Sequence, residues 1–124
     1  MSSTVFHNAT VLPVDGERDW FHGWISVSDG RITALGDGTP PTGADAYRDL
    51  HNCFLAPGFV SAHSHIYTGA MRGVAATSPL YEWVSTNSLM LSHAQPDDMY
   101  WLSLAGASDH LAAGITSVYN FTQS

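Results

Sequence analysis

The stretch PGFVSAHSHIYTGAMRG, residues 57–73, puts two histidines, His63 and His65, one residue apart at the end of a short apolar run. In an extended strand, residues two apart share a face, so both imidazoles can aim at one ion while Ser64 points the other way. Neutral imidazole nitrogen suits zinc, iron and related metals. The spacing alone is a weak signal, because seven histidines in 124 residues generate about 0.4 such pairs by chance. Two ligands also fall short of a catalytic zinc site, which takes at least three protein ligands and keeps a position open for water. His7, His22, His51, His93 and His110 have no supporting spacing and read as surface or structural histidines.

The elements that must position this pair follow from local patterning. The first third reads as β: TVFHNATVLPV is β-branched and roughly alternating, and GWISVSDGRITALGDG is a hairpin turning at Asp29-Gly30. DGTPPTGADA is a loop, and YRDLHNCFLAPG holds one or two short strands. GFVSAHSH is a short apolar strand, and SPLYEWVSTNSLML approaches helical spacing. QPDDMYWLSLAGASDHLAAG is the clearest helix. Pro96 suits its first position, Asp97 and Asp98 its positive end, and Gly114 its stop. Met99, Leu102, Ala105 and Leu111 or Ala112 are expected to share its buried face. ITSVYNF is then a second buried strand. The order strand, helices, strand favours a parallel pair. Parallel strands are normally covered on both faces, so a two-stranded pair reads as a domain cut short.

Composition excludes several classes. Eleven acids against four arginines, with no lysine, give a formal charge of -7, so no basic footprint for nucleic acid and no polybasic membrane patch exists. No apolar run approaches a membrane span, and the N-terminus lacks the pattern of a signal peptide, so the expected location is cytoplasmic. Cys53 is the only cysteine, which removes a disulfide framework, and its apolar neighbours suggest a buried small hydrophobe. Trp83, Tyr100 and Trp101 read as core residues, and Glu82 as a solvated helix acid.

Taken together, the residues resemble the amidohydrolase superfamily, in its cytosine-deaminase, S-adenosylhomocysteine-deaminase and triazine-hydrolase branch. NATVLPVDG…GWISVSDGRITALGD is similar to the family's N-terminal β segment, and FLAPGFVSAHSH to the lead into barrel strand one. Arg72-Gly73 follows His65 at the branch's spacing, PLYEWV matches its next helical segment, and HLAAGITSVYNF resembles the approach to barrel strand two. The resemblance implies an α/β fold: a small β-sandwich segment over 1–56, then the first βα units of a (β/α)8 TIM-type barrel over 57–124. A full barrel needs about 250 residues, so the chain reads as truncated after barrel strand two.

The resemblance makes His63 and His65 metal ligands at the C-terminal end of a barrel strand, holding one divalent metal, zinc or alternatively iron. It implies hydrolytic deamination, or related C–N or C–X hydrolysis, of a nitrogen heterocycle by a metal-activated water. The family's other ligands and its proton-moving acids lie on later strands. No catalytic residue is therefore expected within this chain, and the chain alone is expected to be inactive. Tyr67 and Thr68, on the loop after the histidines, and Arg72 are candidates for substrate binding, Arg72 having a structural ion pair as its alternative. There are departures. Asp109 stands where the family often has Glu, and Asn120 where it often has Asp. STNSLMLSHAQ, with Ser92 and His93, lacks the Glu by which nucleoside-deaminating members hold ribose. The expected partners are a small heterocyclic substrate and a second copy or a complementing chain. The alternatives are a ring-opening hydrolase of dihydroorotase or imidazolonepropionase type, and a non-catalytic half of a split enzyme.

Overall fold

The structure is a computed structural model and describes residues 2–122. The proposed stop at Ser124 lies outside the described residues. The chain divides into two compact units between Pro57 and Gly58.

The first unit is one mixed sheet. Strands β1 (Ser3–Val11), β2 (Phe21–Ser28), β3 (Arg31–Asp37) and β4 (Ala46–Asp49) lie in the order β3-β2-β1-β4, and β5 (Phe54–Leu55) pairs with β1 beyond β4. The hairpin β2–β3 is antiparallel and turns through Asp29 and Gly30, both at positive φ (50° and 76°). That pairing of left-handed residues matches the twist of the flanking strands. β1 is antiparallel to β2 but parallel to β4 and β5. A register shift between Phe6 and Ala9, with Asn8 at φ 55°, breaks the alternation of β1. Val5 is buried before the shift, and Ala9, Thr10 and Val11 are buried in succession after it.

Cys53 corrects the sequence reading: it is exposed. It follows His51 and Asn52, both at positive φ, and its backbone is fully used. Its N–H donates to the Leu50 carbonyl and its carbonyl accepts from Thr10 N–H. This turn, rather than the polarity of its neighbours, directs the thiol outward.

The second unit pairs β6 (Phe59–Ser64) with β7 (Ile115–Asn120) in parallel, Phe59 opposite Ile115 and Ser64 opposite Asn120. Between them lie a 3₁₀ segment (Ile66–Met71), α1 (Leu80–Leu91) and α2 (Pro96–Ala112). Pro96 occupies the first turn of α2, where a missing N–H costs nothing, and Asp97 and Asp98 face the positive end of the helix dipole. The Asp98 carboxylate also accepts from Gln95 N–H at 2.8 Å. At the other end Gly114, at φ 76°, reverses the chain, and its carbonyl accepts from Phe59 N–H at 2.8 Å as β7 begins.

The packed face of α2 keeps Met99 and Leu102 of the expected set, both half-buried, and departs from that set further along the helix. Its buried residue is Gly106, flanked by half-buried Leu102, Ser103, Ala107 and His110, while Ala105 and Leu111 are exposed. Closeness of approach sets this face. A Cβ at Gly106 would collide with the Ile66 carbonyl oxygen, and one at Gly69 would sit 3.0 Å from Gly106 Cα. The helix therefore turns its smallest residue, rather than its most apolar stripe, toward the 3₁₀ segment. Tyr100 and Trp101, expected in a core, are 61% and 64% exposed on the outer face that this rotation creates.

Candidate metal centre

β6 ends at the histidine pair. The alternation of the strand sends Ser64 to the α2 side and leaves His63 and His65 together, with ring centroids 5.2 Å apart and planes at 72°. His63 is exposed and His65 half-buried. Both rest against Phe121, the residue after β7: its ring lies 4.2 Å from the His63 ring at 31° and 5.8 Å from that of His65.

Hydrogen bonds define how His65 can act. Its Nδ1 lies 3.0 Å from the Phe121 carbonyl oxygen. A carbonyl only accepts, so Nδ1 carries the proton and, in the neutral ring, Nε2 keeps its lone pair. A partner on one ring nitrogen that frees the other is the usual arrangement of a metal-ligating histidine. The donor chemistry of His63 and His65 thus fits two positions of a zinc-type site. Among the described residues no group of three or more His, Cys, Asp or Glu comes together to hold a metal.

The chain just after the pair is tied down on several sides. Ile66 N–H donates to Asn120 Oδ1 at 3.0 Å, joining the end of β7 to the turn after His65. The Thr68 N–H and hydroxyl both donate to the His65 carbonyl, at 2.9 and 2.8 Å. Tyr67 is 4% exposed, its ring 6.0 Å from that of His65, and burial pushes its phenol pKa up. Trp83 of α1 is half-buried with its ring 6.4 Å from His65. On the α2 side, Ser64 Oγ meets His110 Nε2 at 3.1 Å, and His110 Nδ1 meets the Gly106 carbonyl at 2.8 Å.

An open depression of about 310 Å³ takes in His63, His65, Thr68, Arg72, Trp83 and Asp109. Of the candidates for substrate contact, Thr68 lies on this depression with its hydroxyl proton engaged. Arg72 lies on it with its guanidinium paired to the Asp109 carboxylate. Tyr67 is not part of its wall. His7, His22 and His51 belong to the first unit, and His93 lies in the turn between α1 and α2. The bracing roles of Phe121, Asn120 and the Ser64–His110 contact carry no signal of spacing, since their partners lie 46 to 56 residues away.

Residues 54–124 match the pattern of the amidohydrolase family. The 5-methylthioadenosine/S-adenosylhomocysteine deaminase of Syntrophomonas wolfei is 32% identical over 113 residues, which are 89% of this chain and 26% of that protein. The chain thus spans about a quarter of the length of this relative. Among solved structures, triazine hydrolase from Arthrobacter aurescens superposes with a TM-score of 0.82 at 23% identity, covering 97% of this chain and 28% of that one. The atrazine chlorohydrolase of Arthrobacter aurescens TC1, complexed with zinc, does so with a TM-score of 0.76 at 23% identity, covering 94% and 28%. These two likenesses show a shared fold. With more than half of its residues inside the family pattern, the chain belongs to the amidohydrolase family.

Proposed function

We propose that this chain is the N-terminal portion of a metal-dependent amidohydrolase that deaminates a nitrogen heterocycle, with His63 and His65 as two of its metal ligands. In this reading residues 58–122 are the opening strands of a (β/α)8 barrel, and the histidines stand at the C-terminal end of its first strand, where such barrels place their chemistry. The observation that carries the reading is the bond between His65 Nδ1 and the Phe121 carbonyl, which frees Nε2 as a ligand beside the His63 ring. The deaminase relative supports the reaction class, and the zinc complex of the chlorohydrolase supports zinc over iron.

A bound zinc would supply a water acidic enough to act as nucleophile near neutral pH. The residues of this chain hold and orient. Phe121 sets the tautomer of His65 and backs His63 with its ring. Thr68 and Asn120 fix the backbone that follows. Tyr67 and Trp83 pack beside His65 and lower its access to water. Thr68 and Arg72 line the approach to the pair and are the substrate contacts this reading assigns, Arg72 on release from Asp109. Proton transfer to the leaving group belongs to acids outside these residues, so the 124-residue chain has no turnover of its own.

The test uses the protein carrying the remaining barrel segments. It should contain zinc and release ammonia from an amino-substituted nitrogen heterocycle. His63→Ala or His65→Ala should remove both metal and activity. Full activity in either variant would refute the assignment. Opening of a dihydropyrimidine ring without ammonia release would favour the ring-opening hydrolase instead.

A further inference from the structure

We propose that His110 is a positioning residue for the His63/His65 pair: its imidazole latches α2 to Ser64, the one residue between them. The proposal rests on the reading of that pair as metal ligands. Ser64 stands between the two histidines with its hydroxyl turned to His110 of α2, so whatever holds its side chain restrains the rotation of the strand end about its axis. The aim of both rings follows from that rotation.

The latch has a defined chemistry. His110 is half-buried and engaged at both nitrogens, Nδ1 with the Gly106 carbonyl at 2.8 Å and Nε2 with Ser64 Oγ at 3.1 Å. The carbonyl can only accept, so Nδ1 carries the proton. Nε2 of the neutral ring then accepts from the Ser64 hydroxyl. The ring therefore acts as a relay of fixed polarity from the backbone of α2 to the strand. It sits four residues after Gly106, the point where α2 touches Ile66, so the helix grips the chain on both sides of His65. A histidine that merely filled space would need no acceptor at Nε2, and this difference can be measured.

The experiment uses the protein carrying the remaining barrel segments, with zinc alone as the probe, comparing His110→Ala, His110→Gln, Ser64→Ala, the double variant His110→Ala/Ser64→Ala, and His63→Ala. Ring-nitrogen NMR of the metal-free protein should show His110 as the Nδ1–H tautomer. Zinc binding, followed by calorimetry, should weaken about tenfold in His110→Ala and in Ser64→Ala, the lower end of what an outer partner of a metal ligand contributes. The double variant should bind no worse than either single one, because one contact is lost in all three. His110→Gln, whose amide oxygen can accept from Ser64, should recover to within about threefold of the parent.

Zinc binding unchanged in His110→Ala while His63→Ala abolishes it would overturn the latch and leave the metal reading standing. So would losses that add in the double variant. If the parent protein, with its remaining barrel segments, holds no zinc, the metal reading fails separately. The latch is then judged on the ring signals of His63 and His65, which His110→Ala must shift. Unshifted signals overturn it. If His110→Ala does not fold, Ser64→Ala carries the same comparison.

Discussion

Gly106→Ala puts two opposing effects against each other in α2. Within a helix, alanine is favoured over glycine by about 1 kcal/mol, so propensity alone predicts stabilisation. Here the added Cβ would meet the Ile66 carbonyl oxygen at a separation real Cβ atoms do not show, and the obstacle is backbone, not a side-chain tip. Overpacking of this kind costs about 1–3 kcal/mol, and a rigid obstacle puts it at the upper end. The expected net loss is about 2 kcal/mol. With a urea slope of about 2 kcal/mol per molar, the midpoint should fall by about 1 M. The assay is urea unfolding followed by helix circular dichroism, with exposed Ala105→Gly as the control for propensity. A midpoint that is unchanged or raised in Gly106→Ala would refute the claim that close approach to Ile66 selects the face of α2.

Three further outcomes are expected. Asn120→Asp keeps an oxygen for Ile66 N–H and should change stability by less than about 0.5 kcal/mol, whereas Asn120→Ala orphans a part-buried donor and should cost about 1–2 kcal/mol in the same melts. Arg72→Ala breaks an ion pair whose side chains are 74% and 54% exposed, so its cost should stay under about 1 kcal/mol and shrink in high salt. The Asp45 carboxyl is held below the ordinary aspartate range, first by Ser3 N–H and then by the Ser3 hydroxyl. A folded pKa below the unfolded one gives stability present above about pH 4 and lost as pH falls through the folded value. Ser3→Ala should move the Asp45 titration upward by carbon-13 NMR, and an unmoved titration would exclude the hydroxyl as a cause.

Local signals explain what could be read in the amino-acid sequence. The Asp29-Gly30 turn, the Pro96 start and the Gly114 stop each act within a few residues, and the hairpin, α1, α2, β6 and β7 follow from such cues. The histidine pair was visible for the same reason, because a period of two is a property of one strand. Long-range choices were not visible. Nothing near Tyr47 or Phe54 announces that they pair in parallel with β1. Apolar spacing finds Met99 and Leu102 on the packed face of α2, but a contact between Gly106 and a distant carbonyl leaves Ala105 and Leu111 exposed. Cys53 is exposed despite its apolar neighbours because it follows the left-handed His51 and Asn52. The groups that steady the histidines come from β7 and α2, brought in by the fold and by no motif.

The parallel pairing of β6 with β7 also bears on the order in which the second unit forms. α1 and α2 close on contacts a few residues apart, whereas β6 reaches β7 only after the entire helical stretch has been gathered in. Closing a long loop before any contact rewards it is slow. Until β7 docks, the Phe121 carbonyl is absent from His65 and Asn120 from Ile66, so the two imidazoles swing independently. Zinc offered during refolding therefore meets an organised pair of rings only at the end, and the rise of the metal-binding signal should lag the rise of helix.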